Sequence, residues 1–269
     1  MTTSRPSLGL ELTDNSKAGP SFSLSRTRSC INKTAECWRA CYGHGIRYQS
    51  RGAQTKRLRN FETVEYLLDH GGPELLSEHF IELIDRARPT GWLIARSMGT
   101  TTPPVPWTLR LMDVGDMFRP DFAHAWRIAA RSRPECSLWF YTRSFVEDAM
   151  FAALTELAAL PNVQGWLSID VDNFELGVRR YQSAPAGIWK VALMQPHPER
   201  ASAVLIDTIG AAVPAADLMI FPEHRAGHHV PPLRLGSAPV CPQVLGALPL
   251  EKTAGCPRPC QSCRLCLPQ

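Results

Sequence analysis

Ser137-Leu-Trp-Phe-Tyr141-Thr142-Arg143-Ser144 leads into an apolar-striped run from about Phe145 to Leu160, and then into Val163-Gln-Gly-Trp-Leu-Ser-Ile169. The first and third stretches are short, apolar and aromatic, as buried strands are. The middle one is long and repeats its apolar residues at helical spacing. Strand, helix and strand in that order form the unit of parallel α/β construction. Upstream, Trp107–Met112 reads as a strand ending in Asp113-Val-Gly115-Asp116, and Phe122–Ala130 as the helix after it. Downstream, Ile188–Met194 and Asp217–Phe221 are two more strands, the latter running into Pro222-Glu-His224. Leu75, Leu76, Phe80, Leu83 and Ile84 set a helix over Pro73–Ala87, and Trp92–Arg96 is a weaker early strand. Six strands predict an α/β fold with a parallel-strand partial or complete (β/α) barrel, an N-terminal cluster loop and a C-terminal cysteine-rich tail. A doubly wound sheet would give the same periodicity. Polar residues collect after the strands: Asp113 and Asp116, Arg143 and Ser144, Asp170 and Asp172, Glu223 and His224. The carboxyl end of a parallel sheet is where such folds place their chemistry.

The chain has 269 residues, of which 44% are hydrophobic, enough for one sizeable α/β core with appendages. The expected division is an N-terminal segment over 1–62, a body over 63–235 and a tail over 236–269. A formal net charge of +4 is mild and fits a basic cavity as well as a nucleic-acid surface. No apolar run reaches membrane-spanning length, and Met1–Pro20 lacks the apolar core of a signal peptide. The expected compartment is therefore the cytoplasm, where disulfides are rare, so the nine cysteines call for another explanation. Cys30, Cys37 and Cys41 lie together near the start, and Cys241, Cys256, Cys260, Cys263 and Cys266 near the end. Cys136 alone sits between.

Cys37 and Cys41 are four apart and share a face if their turn is helical, so three thiolates can converge with Cys30 on one centre. Three thiolates on a [4Fe-4S] cluster leave one iron open to a small molecule. Zinc with His44 or a fourth cysteine is the alternative. In the tail, Cys260, Cys263 and Cys266 make two successive Cys-x2-Cys steps, and Cys256 or Cys241 can supply a fourth thiolate. That set suits a second [4Fe-4S] cluster or structural zinc. Flanking prolines keep the segment from forming an ordinary helix.

The chain resembles the gene product 88 family, a group with radical-SAM-like character. The likeness rests on Gly19-Pro-Ser-Phe22-Ser-Leu24 leading into Cys30, Cys37, Cys41 and Tyr42. It continues through Leu109 to Gly115-Asp116, through Trp139-Phe-Tyr141-Thr142-Arg143-Ser144, and into the cysteine tail. The resemblance implies a cluster-bound, S-adenosylmethionine-cleaving enzyme. The spacing of Cys30, Cys37 and Cys41 departs from the superfamily's usual Cys-x3-Cys-x2-Cys, and Ile31-Asn32 stands where the family often has Pro-Gly. It also implies that Gly115 and Asp116 meet the amino group of the methionine moiety. By the same likeness, Cys241 is a detached first ligand of the tail set.

Arg143 is placed to clamp a carboxylate through its fork of donors, with Ser144 assisting or capping the next helix. Asp170 is a candidate for catalysis or for structure. His224, His228 and His229 lack a partner at ligand spacing. The expected activity is reductive cleavage of S-adenosylmethionine to start radical chemistry on a small-molecule or peptide substrate. The expected electron source is a reducing partner such as flavodoxin or ferredoxin. The competing expectation is a zinc- or cluster-stabilised nucleic-acid-binding or regulatory protein. It rests on the tail cysteines and on Arg47, Arg51, Lys56, Arg57 and Arg59, beside which Asn60 could touch substrate.

Overall fold

The computed structural model describes residues 9–15, 17–89, 107–195, 203–222, 224–225, 228–229, 237–242, 260 and 263–268. Seven strands form one sheet in strict chain order. They are β1 (Thr13–Asn15), β2 (Gly19–Ser21), β3 (Trp107–Leu111), β4 (Cys136–Thr142), β5 (Val163–Ile169), β6 (Trp189–Gln195) and β7 (Leu218–Pro222). β1 and β2 pair antiparallel, and every later neighbour is parallel. A two-residue hairpin, β8 (His224–Arg225) with β9 (His228–His229), follows. Three short helices, α1 (Arg26–Ser29), α2 (Ala35–Ala40) and α3 (Ile46–Gln49), precede the long α4 (Arg51–Ala87). Between and after the parallel strands come α5 (Pro120–Ser132), α6 (Asp148–Ala158), α7 (Phe174–Ser183) and α8 (Ala203–Ala212).

A doubly wound sheet reverses its strand order at a switch point, and no reversal occurs among the described strands. With crossovers of the usual right hand, an unreversed order lays the helices that connect its parallel strands on one face. Burial agrees, since every residue of β5 is buried and its alternate side chains divide between two environments. Val163, Leu167 and Ile169 join the large core under the helices, whereas Trp166 joins a smaller cluster with Ala192 and Met219. β4 divides likewise, with Leu138 and Phe140 toward the helices and Trp139 in a separate group with Ala18 and Leu267.

The helix-side core is set by large rings. Phe80 of α4 stacks on Trp126 of α5 with centroids 3.7 Å apart, and Phe22 meets both edge-on at 5.6 and 5.5 Å. Gly165 makes the strand–helix packing at β5 close. A Cβ there would lie 2.6 Å from the Trp189 ring and 2.9 Å from Ala158 Cβ.

The five later strands expected from periodicity are present within one or two residues of their expected ends. The helix expected over Pro73–Ala87 is the second half of α4, which breaks at Gly72 (φ 67, ψ −168) just before that proline. Phe145–Leu160 shortens to α6. Trp92–Arg96 lies outside the described residues. The boundary expected at residue 62 falls inside α4, and the N-terminal segment contributes β1 and β2 to the sheet. Asn60 is engaged within the fold. It is fully buried and pairs with the backbone of Glu11 and Ser23, tying α4 to the β1–β2 hairpin.

At the far end of α4, Asp85 accepts two bonds at 2.8 Å from Arg133, at the C-cap of α5, and one from Arg88 at 2.5 Å. The hydrogen bonds from Arg133 hold the Asp85 carboxyl below its ordinary value. Stabilisation from a depressed carboxyl is fully present above the unfolded-state value of about 4 and disappears as pH falls through the folded value. Because the pair is about one-third exposed, Asp85→Asn should cost only about 1 kcal/mol at pH 7. Urea denaturation at pH 7 and at pH 3 should show that difference and then a smaller one.

Candidate functional site: a cavity lined by both cysteine groups

On the sheet face away from the helices lies a cavity of about 490 Å³. Its floor is made by side chains that alternate with the helix-side core residues, among them Tyr141, Ser168, Ala192, Met194, Met219 and Phe221. Cys30, Cys37 and Cys41 line it, and so do Cys241, Cys260, Cys263 and Cys266. Cys256 lies outside the described residues. Cys136 is buried among the helix-side residues, and burial pushes its thiol well up, as expected of an inert core cysteine.

The N-terminal thiols are held by a short helix pinned to the end of β5. Thr34 caps α2 by accepting from the Cys37 N–H at 2.9 Å, and its hydroxyl donates to Asp170 Oδ2 at 2.6 Å. Asp172 Oδ2 accepts from the Glu36 N–H at 2.8 Å. The strand ends at Ile169, yet both carboxylates reach the same short helix, each bonding a different part of its first turn. Asp170 is fully buried behind the cavity wall and also accepts from Arg143 Nε at 3.2 Å. Arg143 itself lines the cavity. Burial works against its charge, but Cys37, Asp170 and Asp116 outweigh burial and raise its pKa. Burial pushes the Cys37 thiol up to about 11, with Arg143 the chief opposing influence. Cys30 is driven further up by burial and then by Asp116, Cys37 and Cys41.

The turn after β3 is just as firmly fixed. Asp116 Oδ1 accepts from the Thr142 hydroxyl and the Met117 N–H, both at 2.8 Å, and Oδ2 accepts from the Arg143 N–H at 2.8 Å. Burial still raises its carboxyl against those three bonds. Gly115 has φ +95, and a Cβ there would lie 2.7 Å from Ser29 Oγ and 2.9 Å from Leu24 Cβ. Its glycine is thus required by the close approach of Leu24, after β2, and of Ser29, in α1 just before Cys30. Met112, also on the cavity, has φ 54, a conformation that costs free energy in a residue with a side chain. Ser144 is buried away from the cavity lining, and Glu147 is the N-cap of α6, so Ser144 neither faces the site nor caps that helix.

Sequence reasoning missed Arg110. Its guanidinium pairs with Asp113 at 3.1 Å, donates to the Tyr42 hydroxyl at 3.1 Å, and lies over Trp139 and Tyr141 at 5.0 and 5.5 Å. Burial lowers its pKa, but Tyr42, Asp113 and Tyr141 outweigh that and raise it. The available signal was an arginine between Leu109 and Leu111, on the alternate face of an otherwise apolar strand. Tyr42 is half exposed at its ring, while its hydroxyl turns inward and donates to the Asp113 carbonyl.

The described parts of the tail attach at both edges of the sheet. The Cys241 N–H bonds the Ile220 carbonyl of β7, and the Cys260 N–H bonds the Lys17 carbonyl in the β1–β2 turn. Between those edges, Tyr141 Oη donates to Cys266 Sγ at 2.9 Å and Trp166 Nε1 to the Cys266 carbonyl at 3.1 Å. Burial pushes the Cys266 thiol up to about 12, opposed by the Tyr141 bond. Among the described residues, no group of three or more His, Cys, Asp or Glu side chains is arranged to hold a metal ion. No helix among them is long and apolar enough to cross a membrane.

Fold and site together define a mixed α/β protein whose mostly parallel sheet carries a thiol-lined cavity on one face. The family model described as gene product 88 matches residues 3–269, and the chain belongs to that family. No curated protein and no solved structure matches it.

Thr34→Val removes both the cap and the bond to Asp170. It should cost about 1–2 kcal/mol in chemical denaturation and speed alkylation of Cys37. Thr34→Ser, which keeps the hydroxyl, should restore both.

Proposed function

We propose that this protein is a radical-SAM-type iron–sulfur enzyme built on a partial (β/α) barrel. Cys30, Cys37 and Cys41 would hold a [4Fe-4S] cluster beside bound S-adenosylmethionine, and the tail cysteines a second centre. The observation that carries the reading is that thiols from both ends of the chain line one cavity. The donor set fits in kind: soft thiols suit iron–sulfur centres, and a cluster spreads its thiolates more widely than a single ion does. Burial raises the Cys30 and Cys37 thiols, so loading there has to displace protons that burial favours.

When bound, the cluster supplies an electron for reductive cleavage of S-adenosylmethionine, which starts radical chemistry on a substrate. The chain's own residues hold and shield that event. Arg143, fixed by Asp170 through its side chain and by Asp116 through its backbone, offers a cation beside Cys37. That cation offsets anionic charge at the thiols and can pair with a carboxylate. Asp116, its oxygens already bonded by protein donors, acts chiefly by positioning Gly115 and Arg143. Asp170 does the same for Thr34 and Arg143, and so is a positioning residue here. Met112, Met194 and Met219 supply an apolar lining that excludes water.

This reading includes a cytoplasmic setting, a small-molecule or peptide substrate, and flavodoxin or ferredoxin as reductant. The nucleic-acid reading gains no support from the basic stretch. Lys56 and Arg59 pair with Glu11, and Arg57 lies over Tyr48 and bonds its carbonyl.

Anaerobic reconstitution with iron and sulfide should give brown protein that releases 5′-deoxyadenosine from S-adenosylmethionine and dithionite. Cys37→Ala should abolish that release while retaining the tail's share of iron. A colourless protein that binds zinc alone, or unchanged cleavage in Cys37→Ala, would overturn the assignment.

A further inference from the structure

Around Asp113 the cavity gathers more positive charge than the described residues neutralise. Lys17, Arg26, Lys33, Arg110 and Arg143 line the cavity, against Asp113 and Asp116 among the described residues. Asp116 is engaged by Thr142, Met117 and Arg143, and Arg143 has Asp170 as well. Asp113 is left for the others, and it already accepts from Asn15 at 2.9 Å and pairs with Arg110 at 3.1 Å. Arg57, buried against Tyr48, adds a further cation close by. Burial lowers its pKa, Asp113 opposes that, and Arg26 adds to it. Tyr42 brings no counter-charge, because its hydroxyl donates to the Asp113 carbonyl.

Arg26 pairs with no carboxylate among the described residues. It lies over Trp38 at 5.0 Å and passes Gly43, where a Cβ would be 3.6 Å from its Nη1 and 3.2 Å from Cys41 Sγ. Arg26 Nη1, Arg57 Nε and Arg110 Nε are buried without a hydrogen-bond partner among those residues. Lys17 reaches the same region. Its N–H bonds Asn15 Oδ1 at 2.8 Å, and its Nζ lies 3.8 Å from Cys241 Sγ. Lys17 and Arg110 together oppose the burial that raises the Cys260 thiol. Cations without counter-ions and buried donors without acceptors are costly in a low-dielectric site. A cleft with such walls also concentrates anions.

We propose that Lys17, Arg26 and Arg110 form a subsite for an oxyanion of the substrate, a carboxylate or a phosphate. The inference rests on the proposed function for there being a substrate and gives that substrate its chemical class, whereas anion binding itself needs no cluster. The subsite is separate from Arg143, which answers to Cys37, Asp170 and Asp116, while Arg110 answers to Tyr42, Asp113, Tyr141 and Cys260. Asp113, the Tyr42 hydroxyl and the Trp139 and Tyr141 rings already hold the Arg110 guanidinium, so little side-chain freedom is lost on binding. Arg26, with no carboxylate of its own, supplies the charge that the anion neutralises.

The experiment titrates the full chain, without added metal, with sodium phosphate and with sodium succinate against sodium chloride at equal ionic strength. Tryptophan fluorescence, to which Trp139 beside Arg110 contributes, and the thermal midpoint are read. At least one of the two oxyanions should bind saturably and raise the midpoint, and the tighter of them names the substrate's group. Arg26→Met and Arg110→Met should each weaken binding by about tenfold or more. Arg127→Met, which removes a helix-side cation paired with Glu156, should leave binding unchanged. In chloride alone Arg26→Met should melt no lower than the wild type, since it removes a charge with no counter-ion. Saturating oxyanion should then lift the wild type above the variant, an order that a merely misfolded variant does not give. The subsite is overturned if neither oxyanion binds saturably, if Arg26→Met and Arg110→Met bind as tightly as the wild type, or if Arg127→Met loses as much. It is also overturned if Arg26→Met melts lower in chloride alone. Release of 5′-deoxyadenosine by reconstituted protein is scored separately. Release without oxyanion binding removes the subsite and leaves the proposed function, and oxyanion binding without release does the reverse.

Discussion

The sheet buries both its faces, but its chain-order topology gives helices to only one of them. Everything on the second face must be covered by chain that is not part of the repeating strand–helix pattern. The loop carrying Cys30, Cys37 and Cys41 provides one cover, and the segments around Cys241 and Cys260–Cys266 provide the other. Neither brings much apolar bulk. Instead each is attached through directional bonds to the ends or edges of strands: Asp170 and Asp172 to the first turn of α2, Ile220 to Cys241, Lys17 to Cys260. Such attachments position well and stabilise modestly, since a typical hydrogen bond contributes only about 1 kcal/mol net. The site is thus the part of the molecule whose order depends most on polar contacts and on whatever its thiols bind.

That division explains what could be read from the residues alone. β3 to β7 were legible because buried parallel strands are continuous apolar runs bounded by turns, and α5 and α6 because their apolar residues recur at helical spacing. β1 and β2 were not, as three-residue strands carrying Asp14, Asn15, Gly19 and Pro20 have no periodicity to detect. Their pairing is decided by Asn60 of α4 and by the approach of β2 to β3, both long-range. The break in α4 was legible, since Gly71-Gly72 ends one helix and the expected helix begins at Pro73.

Within the site, residue types were easier to foresee than roles. Arg143 and Gly115 do line the cavity, as their positions after strands suggested. Asp116 and Asp170 are equally well placed in sequence, yet their carboxylates are occupied by protein donors, which only the three-dimensional arrangement reveals. Ser144 lies beyond the end of β4, and Thr142, the last residue of that strand, takes the place beside Asp116 while accepting from the Ser144 N–H. Arg110 was overlooked because a single charge inside a strand looks like a departure from the pattern. In the fold it is the side chain that touches Tyr42, Asp113, Trp139 and Tyr141 at once.

The pairing of Lys17 with Cys241 spans 224 positions of the chain, and that of Tyr141 with Cys266 spans 125. A polypeptide made from its amino end therefore completes its sheet well before it can roof the cavity. During synthesis, the aromatic and methionine floor and the first three thiols face water together, with their second cover still to come. Such an interval exposes an apolar surface on which nascent chains can associate. Closing so long a loop late costs only slightly more than closing a short one, because the entropy of closure grows with the logarithm of length. Timing, more than equilibrium stability, is the hazard in building this site.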